Sequence, residues 1–244
     1  RQRQMCIRDR PTIAYVAEKM GLPSLGIRCA ALYTNKFLMR EFCSQHNLPH
    51  VDYKLCKTPK DVEGFFDKLK CNIIIKPLDS NSSHGVFKIT AKEQIHEKFD
   101  ETISFSKVEK VVLAERYIEG TEFTIDGLKT AEGHVTLAIS EKRHYKHNIN
   151  IANELFFSRY NDRFDYDELR RVNDAFVDYS ELPYGTLTHA EYKYKDGKYY
   201  LIEIGARGGG NLISAVIVPL MSGVDNYAYL INSALGFKPD PVSI

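Results

Sequence analysis

An α+β fold in two lobes is predicted for this chain of 244 residues, and three observations predict it. In the first half, apolar residues recur at helical spacing in two capped segments, with short alternating runs between them. The second half holds five longer alternating runs and a strong hairpin signal, Asp196-Gly197. Composition, with 43% apolar, 27% charged, 15 Gly and 9 Pro, is that of an ordinary globular chain long enough to bury a core.

Residues 1–10, RQRQMCIRDR, have no apolar period and an internal Met, and they read as a non-native tail. Residues 11–29 read as the remnant of a preceding N-terminal domain, a helix from Ile13 to Met20 stopped by Gly21 and Pro23. Thr34 caps a helix to His46 with Phe37, Leu38, Phe42 and Cys43 on its stripe; Thr58-Pro59 starts another carrying Val62, Phe65, Phe66 and Leu69. Val51 to Leu55 alternates between them as a strand. Asn72 to Lys76 and Gly85 to Ile89 are strands around the polar loop Pro77 to His84, and Thr90 caps a helix toward Phe105. Strands follow at Lys110 to Glu115, Gly120 to Leu128, His134 to Glu141, Gly185 to Tyr194 and Lys198 to Ile204, with a helix from Tyr166 to Tyr179 among them. Asn211 to Met221 and Asp225 to Leu235 close the chain as apolar helices. The lobes are then residues 30–115 and 116–244, and the cleft between them is the natural place for a ligand.

Several function classes are excluded at this stage. Thirty-three Lys and Arg against 32 Asp and Glu leave +1, which gives no general pull toward nucleic acid. No apolar run approaches the roughly 20 residues a bilayer crossing needs, and no signal peptide opens the chain, so no membrane partner is expected and the cytoplasm is the default compartment. The five Cys are scattered with no C-x-x-C pair, as for reduced thiols in a reducing compartment. Neither a G-x-x-x-x-G-K-[ST] loop nor a G-x-G-x-x-G turn after a strand is present, and the glycines at 205–210 lack the dinucleotide-binding spacing.

A different arrangement carries chemistry. Lys76 ends the apolar run Ile73 to Ile75 and enters the loop Asp79-Ser80-Asn81-Ser82-Ser83-His84-Gly85, whose small side chains let backbone N–H groups approach phosphate oxygens beside a point charge. The same segment also fits a solvated hairpin loop with an exposed Lys. Glu191 and Glu203 lie on consecutive strands. A plain two-residue turn sets Glu191 opposite Ile202, whereas one extra residue or a bulge sets it opposite Glu203 with Cβ atoms about 5 Å apart. Facing each other, two carboxylates need a cation, and hard oxygen ligands suit Mg2+, with Mn2+ as a substitute. Lys142, Arg143, His144, Lys146 and His147 form a basic run that fits either a solvated loop or a wall of the phosphate site.

In order and spacing these segments resemble the ATP-grasp ligases over residues 12–238: Asn35-Lys36 opening a helix to Leu48-Pro49, Ile73 to Pro77 with its loop, Leu113 to Thr124, His189-Ala190-Glu191, and Ile202 to Arg207. The resemblance implies two α/β lobes with antiparallel sheets clasping a nucleotide. It implies that Lys36 and Lys76 contact ATP phosphates under a mobile flap, Asp79 to Gly85, with Ser82, Ser83 and Gly85 supplying backbone contacts. Glu115, Arg116, Tyr117 and Ile118 match the segment that hydrogen-bonds adenine, Glu122 the acid on the ribose, and Glu191 and Glu203 the Mg2+ ligands. Gly205 stands where many members have a third metal ligand, Asn. Arg207 matches the residue holding the acid substrate's carboxylate, a task suited to a planar fork of donors, and with Lys76 it makes the catalytic pair.

The implied activity joins a small carboxylate to an amine through an acylphosphate, releasing ADP and phosphate. A purine-type carboxylase, a carbamoyl-phosphate-type ligase and a non-catalytic ATP-binding module are the alternatives. Lacking the N-terminal domain, the chain is expected to bind ATP more readily than it turns over substrate, and to associate, as a homodimer for instance, through its exposed apolar surface.

Overall fold

The computed structural model describes residues 10–80, 83–106, 109–145, 148–237 and 242. Two antiparallel sheets organise them. The first contains β1 (Tyr53–Cys56), β2 (Ile73–Pro77), β3 (Phe87–Ile89) and β4 (Val112–Arg116), in spatial order β1-β4-β2-β3. The second contains β5 (Thr121–Lys129), β6 (His134–Tyr145), β7 (Asn148–Phe157), β8 (Thr186–Lys195) and β9 (Lys198–Gly205), in order β7-β6-β5-β8-β9.

Side chains alternate across each sheet, and that period decides which residues meet the helices and which are left for a ligand. In the first sheet Ile73, Ile75, Val112 and Ala114 face a core completed by helices α4 (Pro59–Leu69) and α5 (Ile95–Ser104). Lys76, Leu113 and Glu115 alternate with them and point to the other face. In the second sheet Phe123, Ile125, Ala190, Tyr192, Tyr199 and Leu201 pack under α2 (Ile27–Leu32), α3 (Lys36–Gln45) and α6 (Tyr166–Tyr179). Thus α2 and α3, which precede the first sheet in sequence, share the core of the second. At one end of its opposite face Leu128, Leu137 and Leu187 are covered by a π-helical turn, Ile213–Ile217, with α7 (Val218–Ser222) and α8 (Asn226–Ala234). The chain opens on α1 (Arg10–Lys19).

Local chemistry explains most helix starts. The helix start expected at Thr58-Pro59 is present, and Thr58 and Asp61 form a reciprocal capping box there, worth about 1 kcal/mol. At two other helix starts a residue further along the chain takes the place of the expected cap. Because α2 runs almost to Thr34, that hydroxyl donates back to Ala30 O (2.6 Å), and Asn35 caps α3 by accepting from the N–H groups of Phe37 and Leu38. The buried face of α3 holds Lys36, Met39, Arg40 and Cys43, while Leu38 of the predicted stripe is exposed. Before α5, Gln94 rather than Thr90 gathers the free N–H groups, accepting from Thr90 and Ala91. The expected helix from Asn211 is broken into a π-turn and a short α-helix after two left-handed residues, Asn211 and Leu212. The basic run is strand rather than loop, since Lys142, Arg143 and His144 belong to β6, which pairs with β7; Lys146 and His147 lie outside the described residues.

The four described cysteines are free, and three of them, Cys29, Cys43 and Cys56, are buried. Burial pushes Cys29 and Cys43 up to about 11, as expected of small apolar packing groups. Among the described residues, no helix is long and apolar enough to cross a membrane.

Candidate active site

The register question resolves through a bulge. Pairing of β8 with β9 shifts between Glu191 and Tyr192, and the shift sets Glu191 directly opposite Glu203. Both point to the open face, along with Glu122 on β5 and Lys142 on β6, which are themselves opposed. Lys142 Nζ bridges Glu122 and Glu191, at 3.1 Å from the latter, and Lys36 Nζ lies 3.1 Å from Glu203. Burial pushes the Glu191 carboxyl up, but Lys142 and His189 outweigh it and hold it below the ordinary range. Burial likewise acts against the Lys142 charge, and Glu191 and Glu122 overcome it and raise the ammonium. This part of the face is a lattice of alternating charges.

A second cluster is fully buried. On β4, Glu115 accepts from Lys76 Nζ (2.6 Å) through one oxygen and from Arg40 Nε (2.6 Å) through the other. Arg40 also donates to Ile202 O on β9 (2.6 Å), the residue before Glu203. Arg40 thus ties the Lys76 sheet to the strand carrying Glu203. Desolvation brings Lys76 down to about 8, with Glu115 opposing the fall. The Glu115 carboxyl is pushed up by burial and, more strongly, down by Arg40 and Lys76, so it stays below the ordinary range. Sequence reasoning missed Arg40. Its signal was the spacing Lys36, Arg40, Cys43, one helix stripe with charges on it.

The described residues of the loop after β2 are held from both sides, by α3 and by Phe105. Lys36 Nζ donates to Ser80 O (2.7 Å) and Ser80 Oγ to His84 O (2.9 Å). Apolar anchorage, which the sequence did not suggest, comes from Phe105: the His84 ring stacks on it, and Gly85, at φ +73°, lies so close that a Cβ would sit 2.9 Å from that ring. Ser83 belongs to this turn; Ser82 lies outside the described residues.

In the 115–118 segment, the N–H groups of Arg116 and Tyr117 donate to Asp52 O and Asn72 O, and the Arg116 side chain turns outward to Asp52. The Tyr117 ring lies beneath the ammonium groups of Lys88 and Lys193, and Lys193 also reaches Ile118 O (3.4 Å). Arg207 leaves β9 through the glycine-rich turn, half-buried, with Nη1 donating to Gly208 O (2.8 Å). His189 Nδ1 contacts Asp126 Oδ1 (2.9 Å); burial lowers this imidazole, and Asp126 reverses the effect and raises it.

Residues 69–215, more than half of the chain, match the model of the ATP-grasp domain family. The chain belongs to that family. The D-alanine–D-alanine ligase of Ralstonia nicotianae is 27% identical over 115 residues, 46% of this chain and 34% of that ligase. An L-amino acid ligase from Bacillus licheniformis superposes on 94% of the chain with a TM-score of 0.78 and 24% identity, covering 54% of its own length. The D-alanine–D-alanine ligase of Bacillus anthracis, solved in complex with ATP, superposes on 93% of the chain and 75% of its own, with a TM-score of 0.73 and 16% identity. The ATP-grasp fold of this chain is therefore established, whereas it spans only about a third to a half of the first two ligases.

Proposed function

We propose that the protein is an ATP-dependent carboxylate–amine ligase that activates its acid as an acylphosphate. One observation carries this reading: Glu191 and Glu203 face each other across adjacent strands, flanked by Lys142 and Lys36. Two like charges so placed are stabilised by cations, and Lys142, Lys36 and the His189 imidazole compensate them here. Their hard oxygens fit Mg2+ held jointly with nucleotide phosphates, although no group of three or more His, Cys, Asp or Glu suited to a metal occurs among the described residues. When bound, the metal would neutralise charge that builds on the transferring phosphoryl group.

The chain's own residues supply the rest. Lys36 and Lys76 hold the phosphates, giving up their contacts with Glu203 and Glu115 in part as phosphate oxygens replace them. Glu122 receives the ribose hydroxyls, the Glu115 to Ile118 segment lines the adenine side, and the loop Asp79 to Gly85 closes over the phosphates. Arg207 clamps the acid so that one carboxylate oxygen lies in line with the γ-phosphorus, which converts a collision of two anions into an oriented step. That oxygen bonds to phosphorus as the bond to the ADP oxygen breaks. The amine then attacks the acyl carbon and phosphate leaves. The L-amino acid ligase and D-alanine–D-alanine ligase relatives support an amino acid as the acid and a second amine as acceptor.

The test is product analysis with the full-length protein, the protein amino acids and D-alanine. Acid-dependent release of ADP and phosphate, with hydroxylamine trapping a hydroxamate, is expected; AMP and pyrophosphate would refute the mechanism. Arg207→Lys should raise the KM for the acid by about tenfold while leaving that for ATP within about twofold, because a single ammonium cannot replace the bidentate fork.

A further inference from the structure

Asp126 is placed in the same face of β5 as Glu122 but takes part in none of the roles above. It lies opposite His189 on β8, which in turn lies opposite Gly205 on β9, so it reaches across the sheet toward the start of the glycine-rich turn. The pairing of β5 with β6 is bulged between Asp126 and Gly127, a device that re-aims a side chain. The Asp126 side chain is almost wholly buried, and a single oxygen, Oδ1, accepts from both His189 Nδ1 (2.9 Å) and the backbone N–H of Gly209 (3.2 Å).

At Gly209 the turn that Asp126 holds admits no side chain. A Cβ on Gly209 would lie 2.8 Å from Asp126 Oδ1, 3.0 Å from His189 Nδ1 and 2.9 Å from Ile213 Cγ2. The following peptide is pinned by Ser214, whose Oγ donates to Gly209 O (3.1 Å), and Ser214 O is held by Asn226 Nδ2 (3.0 Å). Gly208 O meanwhile accepts from Arg207 Nη1. Arg207 therefore rests on a turn fixed at its far end by a carboxylate from β5 and a hydroxyl from the π-turn.

We propose that Asp126 is a positioning residue: by gathering His189 and the Gly209 amide on one oxygen, it locks the Arg207 to Gly210 turn and so presents the Arg207 guanidinium to the carboxylate of the acid substrate. This rests on the ligase reading for its purpose, though not for its geometry. The clamp predicts a specific pattern. Asp126→Ala removes the acceptor from both donors, whereas Asp126→Asn keeps Oδ1 and both contacts.

The experiment pairs two measurements on the full-length protein. By hydrogen exchange, the Gly209 amide should exchange about a hundredfold faster in Asp126→Ala and within about threefold of the unaltered protein in Asp126→Asn, with the amides of Glu191 and Glu203 unaffected. In steady-state assays with the most active amino acid of the panel, Asp126→Ala should raise the KM for the acid about tenfold while leaving that for ATP within about threefold, and Asp126→Asn should restore the acid KM. Unchanged Gly209 exchange in Asp126→Ala would overturn the clamp. A parallel rise of both KM values in step with lost thermal stability would reduce Asp126 to a packing residue and overturn the positioning role. If no amino acid stimulates ADP release, the ligase reading falls, and the exchange data still decide the clamp.

Discussion

Glu115→Gln is the substitution from which the buried charge cluster makes its largest demand. Arg40, Lys76 and Glu115 are each almost completely buried, and one carboxylate serves both cations at 2.6 Å. An amide keeps one acceptor oxygen but turns its NH2 toward the second cation, donor against donor. Two positive charges then share a dry pocket without a counter-charge. Breaking a buried pair in this way costs about 3–5 kcal/mol. For a domain of this size each kcal/mol corresponds to about 2–4 °C in Tm, so the transition should fall by about 6–20 °C. Urea denaturation with linear extrapolation measures the free energy directly. The double variant Glu115→Gln/Lys76→Met removes one of the stranded cations and should recover about 1–3 kcal/mol relative to additivity. A loss below about 1 kcal/mol for the single variant, the range of exposed ion pairs, would refute the cluster as described.

Two further predictions concern the nucleotide. Lys76, brought down to about 8 from its ordinary 10.5, loses its proton in the folded free protein before it would in the unfolded chain, so its contribution to stability rises with pH between those values. Bound phosphates hold the proton on. Affinity for a nonhydrolysable ATP analogue should therefore be flat below about pH 8 and fall toward tenfold per unit above it, with proton uptake detected by calorimetry in two buffers; a flat profile to about pH 10 would contradict this. Glu203→Gln removes a carboxylate that faces Glu191 and contacts Lys36, and should weaken Mg2+-dependent ATP binding by about tenfold or more while leaving adenosine binding intact. Equal losses for both ligands would disprove the assignment.

The features legible in the sequence were those encoded locally. The helix start at Thr58-Pro59 and the bounds of Tyr166–Tyr179 rest on residues within a turn of one another. The opposition of Glu191 and Glu203 depended on a bulge that no residue type announces, and both registers fitted the spacing. The second sheet hid β7, because a basic run ahead of Asn148 reads as a break although Lys142 is half-hidden between two carboxylates. Arg40 was invisible for a different reason: its partners, Glu115 and Ile202, are 75 and 162 residues away, and only the packing of α3 between the two sheets brings them to it. Anchorage of His84 and Gly85 on Phe105 is likewise a tertiary fact, absent from the loop's own small polar residues.

The acylphosphate is tested most directly by following oxygen. The acid that best stimulates ADP release is labelled with 18O in its carboxylate and turned over with an amine acceptor by the full-length protein, and the phosphate is read by 31P NMR. Transfer of one carboxylate oxygen to the γ-phosphoryl group, followed by displacement of phosphate from the acyl carbon by the amine, predicts one 18O in each inorganic phosphate and none in the adenine nucleotide. Label in AMP, or inorganic phosphate free of 18O while amide accumulates, would contradict the account.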